Sequence, residues 1–231
     1  MLQPLRDWWH FIKRPQFEPQ PVSQINRTFL ILLVFQCLLS VLSLLIPSTL
    51  IPNFEKLADD NSVLKMIEES GWFWTILGAA FLEEVIFRLP VGPYHSRFLI
   101  PSGLLLLLLG WAFKALFWMQ VVMAFGMGIF VLGILGLHYE YRDMLRDVWR
   151  KIFPVVFYLF AFVFALVHLS NYETGLKSLN LPTMLLLVIP QFLAGLMFGY
   201  VRVRMGFLNG VALHAAYNAV FLVPLVGFSS P

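Results

Sequence analysis

Three short patterns set side chains that can move protons inside otherwise apolar sequence. GAAFLEEVIFRLP holds Glu83, Glu84 and Arg88, FALVH holds Phe164 and His168, and HAAYN holds His214 and Asn218. A carboxylate can take a proton from water, an imidazole can share it, and a carboxamide can donate to a developing oxyanion. Ionisable groups in hydrocarbon cost about 2.5–3.5 kcal/mol each on insertion scales, so each needs a reason to be there. On a helix Glu84 and Arg88 are four residues apart with the acid first, the favourable order for an ion pair. Glu83 points about 100° away and is left without that partner. The same four-residue spacing puts Phe164 and His168 on one helix face, and His214 and Asn218 on another. An acid, two imidazoles and an amide on three helices can together handle a water and an oxyanion. Lys114 has no evident companion and is expected to snorkel to an interface.

Apolar helices must position these groups. The chain has 231 residues, 59% hydrophobic and 13% charged, against a usual usage of about half apolar and a quarter charged. That excludes an ordinary water-soluble fold. The expected architecture is all-α, a polytopic transmembrane bundle of about seven spans, because apolar runs near 20 residues recur along the sequence. The spans are Thr28 to Ile46, Gly71 to Arg88, Phe98 to Trp118, Val121 to Leu137, Phe153 to His168, Thr183 to Val201 and Phe207 to Val226. Phe98 to Leu137 contains no obvious turn, so its division is the least defined. Residues 1–27 form an interfacial segment, with Trp8, Trp9 and Phe11 among Arg6, Lys13 and Arg14, and then a Pro-rich linker. Residues 28–231 form the membrane-embedded domain. Tyr139 to Lys151 alternates Arg and Asp at helical spacing and is expected to lie on the membrane surface. With the N-terminus cytoplasmic, eleven Lys and Arg fall inside against Lys56, Lys65 and Lys177 outside, as the positive-inside rule requires.

The net charge of +3 lies in short clusters between apolar runs, which reads as topology and not as a nucleic-acid surface. Cys37 is the single cysteine, so no intrachain disulfide is possible. No small-residue cleavage site follows the first apolar run, and a removable signal peptide is not expected. Gly195 and Gly199 read as helix packing, with a dimer face as the lesser alternative.

EEVIFR fits EExxxR, FALVH fits FxxxH and HAAYN fits HxxxN, in that order and within residues 71 to 226. The chain therefore resembles the CAAX protease and bacteriocin-processing family, also called Abi, of intramembrane glutamic endopeptidases. The resemblance implies that Glu83 and His168 activate a water while His214 and Asn218 bind the oxyanion, with no metal and no cofactor. Glu84, Arg88 and Phe164 would support these groups, Phe164 as a cavity wall. The implied substrate is a peptide or protein reached through the lipid bilayer, and the expected setting is a bacterial inner membrane. The distance from Glu83 to His168 is longer than the family pattern leads one to expect, and two extra spans would account for it.

Other functions stay open on the residues alone. Glu and two His are also zinc ligands, although no HExxH occurs and Asn218 would be an odd fourth ligand. A non-catalytic scaffold or a proton-coupled transporter can also hold buried Glu and His. Depth is a further constraint. Counted from Phe207 and Phe153, His214 lies roughly 10 Å and His168 roughly 22 Å from the inner ends of their spans, so tilted or offset helices must bring them together.

Overall fold

The computed structural model describes residues 3–17, 22, 24–59, 63–92, 95–115, 119–172 and 179–229, and among these it is mostly helical, with no strand. Lys177 and Trp118 lie outside the described residues. The chain is an integral membrane protein, and its longest helices show why. Helix α1 (Gln3–Lys13) precedes α2 (Ile25–Leu50), which buries Thr28, Gln36, Ser40 and Ser43. The same helix leaves Leu30, Val34, Leu38 and Leu42 between 58% and 61% exposed. In water such an inside-out helix would present a large apolar patch, whereas in lipid it costs nothing outward and hydrogen-bonds inward.

The N-terminal helix is docked on protein as well as being amphipathic. Phe11 is 2% exposed and meets Phe157 and Tyr200 edge to face, the Tyr158 hydroxyl donates to the Ile12 carbonyl, and Trp9 faces outward.

Short helices α3 (Phe54–Asp59) and α4 (Val63–Ser70) lead to Gly71, whose φ of 81° suits glycine. A π-helical turn, Trp74–Gly78, then runs into α5 (Ala79–Phe87). Trp72, Phe73 and Trp74 are each more than half exposed beside it, as aromatic residues at a membrane interface are.

Next, α6 (Ser96–Ala112) and α7 (Met119–Leu135) form an antiparallel hairpin, so the long apolar stretch divides at the turn 113–115. Glycines hold the two backbones together. A Cβ on Gly103 would stand 2.5 Å from the Phe130 nitrogen, one on Gly126 2.8 Å from Leu106 Cβ, and one on Gly133 2.7 Å from Ile100 Cγ1. Lys114 does have a companion, its Nζ lying 5.5 Å from the Trp111 ring centre.

Two expected boundaries are corrected. Tyr139 to Lys151 is not a separate surface helix: α8 (Tyr139–Val167) continues through it without a break. A change from polar to apolar side chains marks where a helix leaves the interface and requires no turn in its backbone. The expected span Thr183 to Val201 is two helices, α9 (Leu181–Leu187) and α10 (Ile189–Met205), bent by 48°. Pro190 accounts for the bend, since its ring removes one helical donor and clashes with the carbonyl a turn earlier. The chain ends with α11 (Phe207–Ser229), entered through Gly206 at φ 93°.

Among the described residues, Ile25–Leu50 and Tyr139–Asn171 are long and apolar enough to cross a membrane, and the bent pair would be a third. Arg97–Ala112, Met119–Leu135 and Phe207–Val223 are apolar but shorter. Gly195 and Gly199 face α8: added Cβ atoms would stand 3.2 Å from Ala161 Cα and 2.7 Å from Phe157 Cε2. That contact occupies the face a dimer would have used.

Candidate active site

Four helices meet at the acidic pair. Glu83 and Glu84 sit near the middle of α5, and α11 crosses them with Gly210, His214 and Asn218 aligned at four-residue intervals. Gly210 makes the approach possible, because a Cβ there would lie 3.2 Å from Glu84 Oε2. Its place one turn before His214 is a signal that the motif alone does not contain. His168 opens the 3-10 turn His168–Asn171 at the end of α8, and α10 contributes Phe198.

The depth offset expected for the two histidines rested on a span beginning at Phe153. Helix α8 begins instead at Tyr139, so position along each helix gives no common depth, and both imidazoles reach the same carboxylate. His214 Nε2 lies 3.5 Å and His168 Nε2 3.9 Å from Glu83 Oε2.

Hydrogen bonds on the far side of each ring fix which nitrogen faces the acid. His168 Nδ1 is 2.8 Å from the Phe164 carbonyl, which can only accept, so Nδ1 carries the proton. His214 Nδ1 is 3.0 Å from Glu84 Oε1, and with the carboxyl oxygen as acceptor the same tautomer is set there. In their neutral forms both Nε2 atoms therefore turn a lone pair toward Glu83. Three acceptors converge, and a water with two protons is the kind of molecule such a cluster can hold.

Glu84 differs from the expectation that it serves Arg88 alone. Its Oε1 accepts from His214 while Arg88 Nε stands 3.8 Å away, with both side chains of the pair at most 1% exposed. The three guanidinium nitrogens of Arg88 have no hydrogen-bond partner among the described residues. Aromatic faces surround the guanidinium, with its carbon 4.2 Å from the Phe164 ring centre and 5.9 Å from that of Phe198. Phe164 thus touches Arg88 on one side and His168 on another, at 4.5 Å between ring centres. Phe198, which no motif singled out, stacks on His214 at 4.2 Å with the planes 21° apart.

The end of α5 is anchored by Arg202, which donates from Nε to the Arg88 carbonyl at 3.0 Å and from Nη2 to the Leu89 carbonyl at 3.4 Å. In the sequence Arg202 reads only as a topology charge. Tyr217, next to Asn218, donates to Ser40 Oγ at 2.9 Å and ties α11 to the polar face of α2.

A cavity of about 230 Å³ opens beside the histidines. Glu83, His168, His214 and Asn218 line it, with Phe164 as part of its wall and Val63 and Met66 of α4 on another side. Glu84 and Arg88 lie behind the wall and not in it. Among the described residues no group of three or more His, Cys, Asp and Glu is arranged to hold a metal ion.

Residues 138–220 match the family described as Type II CAAX prenyl endopeptidase Rce1-like. The matched segment contains FALVH and HAAYN, while the acidic pair on α5 precedes it. No curated protein and no solved structure matches the chain.

Proposed function

Taking an Rce1-like segment at residues 138–220 as the premise, we propose that this protein is a multi-pass intramembrane endopeptidase of the CAAX-protease type. The observation that carries the reading is the convergence of two imidazole Nε2 atoms on Glu83 Oε2 inside one cavity.

A water bound there donates to Glu83 and to His168 Nε2. As its oxygen attacks the substrate carbonyl carbon, one proton passes to Glu83 and the carbonyl oxygen becomes an oxyanion. The Asn218 carboxamide is a neutral donor for that oxyanion. His214 can donate only from a protonated Nε2, because its Nδ1 proton is held by Glu84. The proton reaches Nε2 from Glu83 across the 3.5 Å gap. Collapse of the tetrahedral intermediate breaks the C–N bond, and that proton leaves on the new amine. The products are a carboxylic acid and an amine, and no group outside the chain and the water enters the balance. Glu84 holds the His214 ring and balances Arg88, and Arg88 in turn braces Phe164.

The substrate is a peptide or protein segment that enters from the membrane, a prenylated C-terminus being the class named for the matched family. Charge asymmetry favours a cytoplasmic N-terminus and about seven crossings, and a bacterial inner membrane is the proposed location. Comparing the protein termini of membranes that carry the native chain with those that carry Glu83→Gln tests the reading. New termini that appear only with the native chain are expected; identical sets of termini exclude proteolysis at this site.

A further inference from the structure

We propose that Gln191 is a substrate-positioning residue that accepts a hydrogen bond from a backbone N–H of the bound peptide, about three residues from the bond that is cut. This rests on the proteolytic reading above and adds a subsite to it.

Gln191 is the third residue of α10, just past the bend at Val188, and is one of the residues that border the catalytic cavity. Its Oε1 is buried and has no hydrogen-bond partner among the described residues. A buried carbonyl oxygen left unpaired costs free energy, so native proteins keep one chiefly where something else supplies the donor. A peptide substrate brings such donors at every residue, whatever its side chains.

The position along the helix sets which donor. Gln191, Ala194 and Phe198 all border the cavity, and their spacing puts them on one face of α10. Phe198 stacks on His214. Seven residues separate Gln191 from Phe198, a rise of about 10 Å at 1.5 Å per residue. An extended peptide covers about 3.3–3.6 Å per residue, so the amide opposite Gln191 is about three residues from the one at the histidines.

The test uses the full chain in liposomes and a quenched fluorogenic peptide spanning a cleavage site mapped by the comparison of termini. Gln191→Met keeps the length of the side chain and removes its hydrogen bonding. The expected result is a KM about tenfold higher, equivalent to about 1.4 kcal/mol, with kcat within twofold. Thermal stability should be unchanged or higher, since a buried unpaired oxygen is replaced by an apolar group. In a scan of peptides N-methylated at one amide each, one amide about three residues from the cut should cost the native chain about tenfold in KM and cost Gln191→Met nothing further.

A KM within twofold of native overturns the proposal. So does a lower melting temperature with KM unchanged, which would mark Gln191 as structural. A scan in which every methylation adds independently to Gln191→Met overturns it as well. If no Glu83-dependent site is found at all, the proteolytic reading fails and this inference goes with it; a site that is cut equally well by Gln191→Met removes this inference alone.

Discussion

Replacing Glu84 by Gln is the perturbation whose size the structure fixes best. Glu84 and Arg88 are 0% and 1% exposed and 3.8 Å apart. Removing one partner of a buried pair costs about 3–5 kcal/mol, because the other charge stays buried and uncompensated. The Phe164 ring at 4.2 Å attracts the guanidinium in both the native chain and the variant, so it does not offset the difference. Glu84→Gln is therefore expected to lose about 3 kcal/mol or more, about two orders of magnitude in the folded-to-unfolded ratio. Arg88→Met alone should cost a comparable amount, since it strands the Glu84 carboxylate. The double variant removes both charges: the carboxamide oxygen introduced at position 84 can still accept from His214 Nδ1, and the thioether introduced at position 88 is apolar among aromatic rings. Its stability is expected within about 1 kcal/mol of native, a coupling that independent sites do not show. Denaturant unfolding in detergent, read from the fluorescence of the seven tryptophans, measures all four proteins. Losses that simply add in the double variant refute the idea that the two charges exist to balance each other.

Other expectations follow from single contacts. Gly103→Ala, whose Cβ would meet the Phe130 backbone at 2.5 Å, should lower stability by about 1–3 kcal/mol, whereas Gly128→Ala, with open space around it, should be neutral or gain up to about 1 kcal/mol; thermal melts of the two variants decide it. Tyr217→Phe loses one hydrogen bond to Ser40 and should cost about 0.5–1.5 kcal/mol with kcat within a few-fold of native. No step of the proposed reaction passes through a metal, so a strong chelator should leave the cleavage rate within twofold, and a loss of activity restored by zinc would contradict the mechanism.

What could be read from sequence was whatever depends on side-chain type and short spacing. The apolar run from Thr28 to Ile46 marked α2 as a span, although its buried polar face of Gln36, Ser40 and Ser43 emerged only in the fold. The three motif pairs share faces because i and i+4 do so in any helix. What could not be read was where helices bend or continue. The backbone passes through Lys151 to Phe153 unbroken although hydropathy changes there, and it breaks at Val188 inside a uniformly apolar run. Hydropathy records the solvent of each side chain, and the break depends on Pro190 and on packing. Second partners were equally hidden. Glu84 matched Arg88 by spacing, but its bond to His214 spans 130 residues. Phe198 and Gln191 carry no mark in an apolar helix, and only the fold gives them a place in the wall of the cavity.

Cleavage by purified Glu83→Gln, beside the native chain in the same liposomes, goes to the root of the mechanism. Loss of the base at a water-activating centre is expected to lower kcat by about 10²–10⁴-fold, with the melting temperature of the variant unchanged. A Glu83→Gln protein that is folded and cuts the same bond within tenfold of the native rate would contradict the assignment of Glu83 as the base.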